Sequence, residues 1–267
     1  MEMMHLEPHG PDTWVGVGPQ YPWGGLYGGQ IVAQGLRAAS YSVDPAYRVH
    51  SLHAYFIRRG DQNAPVRYEV DRIRDGRTFA TRRVVARQSA GAIFNMSASY
   101  QLPEDAPQAQ TVEAYSVPSP EAVADASWSA AFERRSVDAE HCPGPGRVAW
   151  CKIKQDLPKE PLLHACGLAY ISDDLPMDSV LDHHPAYRQD PKTEFWLASL
   201  DHAIWFHQPI RADEFHLHQF SCHALGGARG LSIGHVFDAK GIHLATINQE
   251  VLLRKRIPEK GAHGRRP

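Results

Sequence analysis

The stretch VRYEVDRIRDGRTFATRRVVARQSAGAIFNMSASYQ, Val66–Gln101, decides the fold. VRYEVDRIR alternates between apolar and polar side chains, the signature of a strand with one buried face. A Gly/Arg break (RDGRTF) follows, then a second strand, a tight turn on glycine (SAGA) and a third strand. Period-two alternation punctuated by glycine turns makes an antiparallel meander. The block opens with one more short apolar strand and a loop, SLHAYFIRRGD, from Ser51. A second block, Ser199–Arg254, repeats the order: SLDHAIWFHQP, then FHLHQFSCH, a GGARGL break, an AKGI turn and the last strand LATINQEVLLR. Gly91 aligns with Gly241 and Thr81 with Leu231, so the repeat rests on pattern and turn placement.

A helical stretch precedes each block. GGLYGGQIVAQGLRAASYSV places Ile31, Gln34/Gly35 and Ala38/Ala39 on one face, and its small residues permit close packing. EPLLHACGLAYISDD, Glu160–Asp174, is again small and apolar, with Pro161 suited to a first turn. Helix followed by antiparallel strands, twice, predicts an α+β protein in which each helix lies on its own sheet. Residues 1–105 form the first unit, 106–149 a linker rich in Pro, Ala and Glu with a short helix around Ala130–Arg135, 150–257 the second unit, and 258–267 a disordered tail.

The 267 residues suit two units of about 130 each, and 43% hydrophobic with 22% charged residues is globular composition. A formal net charge of -2 gives no sign of a nucleic-acid binder. No apolar run reaches the roughly 18 residues of a membrane span, and MEMMHLEPHG lacks a signal-peptide pattern. Four scattered cysteines without CxxC spacing predict reduced thiols and a cytoplasmic protein. Sixteen histidines include no HExxH, and no metal is expected. GLYGGQ fits no nucleotide loop, and GxSxG is absent.

WGGLYGGQIVAQGLRAA, VHSLHAYFIRRGD, IRDGRTFATRRVVARQ, LDHAIWFHQP and ARGLSIGHVFDAKGIHLATINQEVLLR resemble, in that order, the acyl-CoA thioesterase II family. The resemblance implies a double hotdog, two helix-on-sheet units in one chain, which agrees with the repeat. It also implies hydrolysis of acyl-CoA by a water that an aspartate, a hydroxyl residue and a glutamine hold in the second unit. Carried over, it points to Asp201 in LDHAIWFH, Gln249 in TINQE, and the position of His223 in SCHALGGARG, where a histidine stands for the family's hydroxyl. Asp201 would be the base, Gln249 would orient the water, and His223 would be a further partner or a base itself. A backbone N–H near His164–Gly167 would meet the oxyanion. The first unit has His53 or Ala54 in place of Asp201 and Ser99 opposite Gln249, so it is expected to be non-catalytic.

An aspartate inside an apolar strand has another reading: it caps a turn or pairs with an arginine. Arg58, Arg59 and Arg77, with Arg229 from the second unit, form a candidate patch for coenzyme A phosphates, against the plainer reading of a solvated strand face. Coenzyme A is part of the substrate, so no separate cofactor is expected. The expected partner is acyl-CoA, with neither nucleic acid nor membrane, in a homo-oligomer. Two other functions fit the resemblance: a non-hydrolytic acyl-CoA binding protein, and an enoyl-CoA hydratase using Asp201 with His207.

Overall fold

A computed structural model describes residues 2–142 and 146–256. The first half runs β1 (Leu6–Pro8), β2 (Thr13–Gly16), α1 (Gly28–Ser40), β3 (Arg48–Phe56), β4 (Val66–Asp75), β5 (Phe79–Gln88) and β6 (Gly91–Gln101). The second runs β7 (Phe132–Ser136), β8 (Arg147–Ile153), α2 (Pro161–Ile171), α3 (Pro176–Leu181), α4 (Pro185–Gln189), β9 (Phe195–Ser199), β10 (Asp201–Phe206), β11 (His216–Gly226), β12 (Arg229–Phe237) and β13 (His243–Lys255).

All strands join one sheet in the order β1-β2-β4-β5-β6-β3-β10-β13-β12-β11-β8-β7, with β9 also on β13. The order is the same read inward from either end. β3 pairs antiparallel with β10, with His53 opposite Ala203, so the two halves meet edge to edge and neither exposes that edge. The expected double hotdog is therefore present.

Alternation sets the faces. Val66, Tyr68, Val84, Ala86, Phe94 and Met96 point inward and are buried. Each such side chain is worth roughly 1.5–3 kcal/mol when it is a full-sized apolar group. Facing outward, Arg83 pairs with Asp71 at 2.6 Å and Arg87 with Glu69 at 2.8 Å. Arg82 breaks the pattern by pointing in; its guanidinium meets Ser42 Oγ at 2.7 Å and the Asp75 carboxylate.

α1 and α2 cross at the centre, and Gly29 is the contact point. A Cβ there would lie 2.1 Å from the Tyr170 carbonyl oxygen. The glycine-rich start of α1 is thus a helix–helix packing surface.

Two expectations are corrected. Residues 130–135 are not a helix: Phe132–Ser136 is the edge strand β7, paired with β8. Nor is 106–149 wholly a linker, since β7 and β8 are the counterparts of β1 and β2. The connecting chain packs Val112, Tyr115 and Val117 on the outer face of the second half, over Val148, Trp150, Leu217 and Phe237. The tail expected at 258–267 lies outside the described residues.

Candidate active site

β9 and β10 are one strand interrupted at Leu200. β9 pairs with the end of β13 and β10 with its start. At the break the Asp201 carboxylate accepts the Glu250 N–H at 2.6 Å, supplying the bond that the ladder omits. Asp201 is half-buried, and burial raises its carboxyl above the usual value. Its face is the outer one. His202 and Ile204 are fully buried on the inner face. On β13, Gln249 points inward with no exposure. Asp201 and Gln249 therefore project to opposite sides of the sheet, and one water cannot bridge them as the sequence reading required.

His223 is also placed elsewhere. It sits at the bulge of β11 between Cys222 and Ala224, exposed, with Ser221 Oγ 3.1 Å from its Nε2. His207 bonds Thr246 Oγ1 at 2.9 Å, so Asp201 and His207 make no hydratase-like pair. His164 and Gly167 belong to the N-terminal part of α2, packed against Ala212, and do not line the cleft described below.

Gln249 gathers a different set. Its Nε2 donates to Ser199 Oγ at 2.9 Å. Ser199 Oγ donates to Asp173 Oδ1 at 3.3 Å. Asp173 Oδ2 accepts the Gly29 N–H at 3.0 Å. Gln249 Oε1 accepts from His202 Nδ1 at 2.5 Å, and His202 Nε2 faces Ser172 Oγ at 2.8 Å. Three elements converge: the end of α2 brings Asp173, the start of α1 brings Gly29, and the β9/β13 pair brings Ser199 and Gln249.

Electrostatics make Asp173 unusual. Burial pushes its carboxyl up to about 7, partly opposed by hydrogen bonds from Gln249, Gly29 and Ser199, while Asp174 adds a like charge. The N-terminus of α1 favours the anion; the C-terminal end of α2 disfavours it. Absent Cβ atoms let α1 come close, because one at Gly28 would lie 2.6 Å from Asp173 Oδ2. Burial also lowers His202 to about 4, which keeps the imidazole neutral.

Asp173 and Ser199 open on a cleft of about 820 Å³. Tyr27, Ile31, Phe56, Trp128 and Met177 form apolar wall, and Arg58, Arg59 and Arg256 also line it. Arg58 and Arg59 are two of the four arginines of the expected phosphate patch. Arg77 and Arg229 do not line the cleft: Arg77 sits exposed in the β4–β5 turn, and Arg229 pairs with Glu250 at 2.8 Å. Sequence reasoning missed Asp173 and Ser199. The available signal was ISDD: two acids directly after an apolar helix, at the end where a negative charge is disfavoured.

The fold is a double hotdog, with a buried carboxylate, a hydroxyl and an amide beside an apolar, arginine-lined cleft. Residues 18–101 match the family model for the acyl-CoA thioesterase N-terminal domain, and residues 103–253 that for the C-terminal domain. Acyl-coenzyme A thioesterase 8 of Mus musculus is 33% identical, over 94% of this chain and 88% of the relative. Acyl-CoA thioesterase 2 of Haemophilus influenzae is 32% identical, over 86% of this chain and 87% of the relative. The crystal structure of an acyl-CoA thioesterase II from Mycobacterium marinum superposes with a TM-score of 0.84 at 36% identity, covering 96% of this chain and 98% of that one. The chain belongs to the acyl-CoA thioesterase II family and is a thioesterase.

Proposed function

We propose that the protein hydrolyses acyl-CoA with a water held by Asp173, Ser199 and Gln249. The observation that carries this reading is the buried Asp173 carboxylate, shared by Ser199 and Gly29 and facing the cleft. Asp173 takes a proton from the water as its oxygen adds to the thioester carbonyl. Ser199 and Gln249 fix the water's orientation. The tetrahedral intermediate collapses, the C–S bond breaks, and the thiolate of coenzyme A receives the proton. First-turn amides of α1 at Gly28, which have no partner within the helix, are the proposed oxyanion donors. Arg58 and Arg59 are the proposed phosphate contacts, and the apolar wall takes the acyl chain.

Free-thiol release from acyl-CoAs of increasing chain length tests this. Wild type is expected to release thiol, and Asp201→Ala to stay within about threefold of it, because Asp201 serves the main chain on the far face. Loss of release in a folded Asp201→Ala variant would return the water to Asp201 and reject this site. The pH profile is a second check. The base works ionised, so kcat/KM is expected to fall about tenfold per unit as pH drops below about 7 and to level off above it. A flat profile between pH 5 and 8 would exclude Asp173 as the base.

A further inference from the structure

Gln249 serves the proposed site only one way round. With its amide group toward Ser199 it donates; turned over, it would present an acceptor there. Ser199 has one proton to give, and while Asp173 is protonated that proton is free to turn from Asp173 to Gln249, so Ser199 cannot set the choice alone. The neighbour at the other end of the amide is His202, and His202 and Gln249 are both fully buried.

The chain has two self-consistent proton arrangements. In one, Ser172 O–H donates to His202 Nε2, Nδ1–H donates to Gln249 Oε1, and the Gln249 amide donates to Ser199 Oγ. In the other, Ser172 donates to the Ala169 carbonyl, 3.0 Å away, and His202 carries its proton on Nε2. Nδ1 then becomes an acceptor, and Gln249 turns its oxygen toward Ser199 and Asp173. An ionised carboxylate beside that oxygen disfavours the second arrangement, so the first belongs to the active site.

We infer that His202 is a positioning residue: its Nδ1–H fixes Gln249 with the amide nitrogen toward Ser199 and Asp173. The inference rests on the site proposed above. The first half of the chain supports it independently. At the equivalent cross-strand place β3 and β6 pair Leu52 with Ala98, both buried. That register replaces Ser99, the counterpart of Gln249 expected from sequence. The donor and the amide are thus absent together where the site is absent.

Two polar substitutions separate positioning from packing. In His202→Asn the amide nitrogen takes the place of Nδ1 and keeps the donor to Gln249. In His202→Gln the longer side chain reaches the place of Nε2, toward Ser172, and leaves Gln249 without that donor. Thiol release, KM and melting temperature are measured for both, beside wild type and Asp173→Asn. The expected result is kcat within about tenfold of wild type for His202→Asn and reduced about 30-fold or more for His202→Gln, with KM unchanged in both. Equal kcat in the two variants, or the reverse order, overturns the inference whatever their melting temperatures. Should Asp173→Asn retain activity, the site itself fails and the inference with it. Should Asp173→Asn be inactive while His202→Gln matches wild type, only the role of His202 falls.

Discussion

Asp173→Asn is expected to lower kcat at least about 1,000-fold and, at pH 8, to raise the melting temperature. The two effects share one cause. Asparagine keeps the shape and an oxygen for the Gly29 N–H, but it cannot accept a proton from water. It also removes a carboxylate that folding buries at a cost. The wild-type carboxyl moves from an ordinary value of 3.8 to about 7 on folding. At pH above both values that shift corresponds to a penalty of about 4 kcal/mol. The sign follows from which state holds the proton. Between the two values the unfolded chain ionises first, so the penalty is absent below 3.8, grows as pH rises, and is complete above about 7. The melting-temperature gap between variant and wild type is therefore expected to be several degrees at pH 8 and to close toward pH 4. Thermal unfolding at the two pH values checks this. A gap of equal size at both would show that Asp173 carries no strained charge, and would remove the physical reason for treating it as the base.

The repeat, the two helices and the meanders were legible because turn chemistry and period-two alternation are local properties. Gln249 comes from the family resemblance, and it is the one residue of that set that the proposed site keeps. The family resemblance points to Asp201, and a carboxylate in an apolar strand demands an explanation of its own. The explanation is the break at Leu200, which leaves the Glu250 N–H to be satisfied by a side chain. That break is a property of the register between three strands, and no local pattern encodes it. The faces were within reach, however: Ile204 inward implies His202 inward and Asp201 outward. Asp173 and Ser199 lie 26 residues apart in sequence and meet only because α3 and α4 return the chain to the sheet beside the end of α2. His223 stands where the resemblance places the family's hydroxyl, and a one-residue bulge at Cys222/Ala224 puts it in solvent. Of the four arginines, Arg58 and Arg59 reach the cleft because the loop after β3 passes it; Arg77 and Arg229 sit in or beside turns away from it.

Gly29→Ala is expected to damage stability and catalysis together. On helix propensity alone the change would stabilise α1 by up to about 1 kcal/mol. Packing decides the opposite sign. The new Cβ would lie 2.1 Å from the Tyr170 carbonyl oxygen and 2.6 Å from the Tyr27 ring. A ring can swing aside, but a carbonyl in the last turn of α2 cannot move without the helix. The two helices must separate, at a net cost of about 2 kcal/mol or more and a melting temperature lowered by several degrees. The same separation draws the Gly29 N–H away from Asp173 Oδ2, now 3.0 Å distant, and carries Asp173 off Ser199. A displacement of about 1 Å at such a site is expected to lower kcat roughly 100-fold. Gly35→Ala on the same helix is the control. Its Cβ would meet only the tips of Phe94, at 3.2 Å, and Met96, at 3.6 Å, which are side chains able to yield. It is expected to be near neutral in both measurements. Two equally tolerated substitutions would mean that α1 and α2 are not held at Gly29, and that the carboxylate does not depend on their contact.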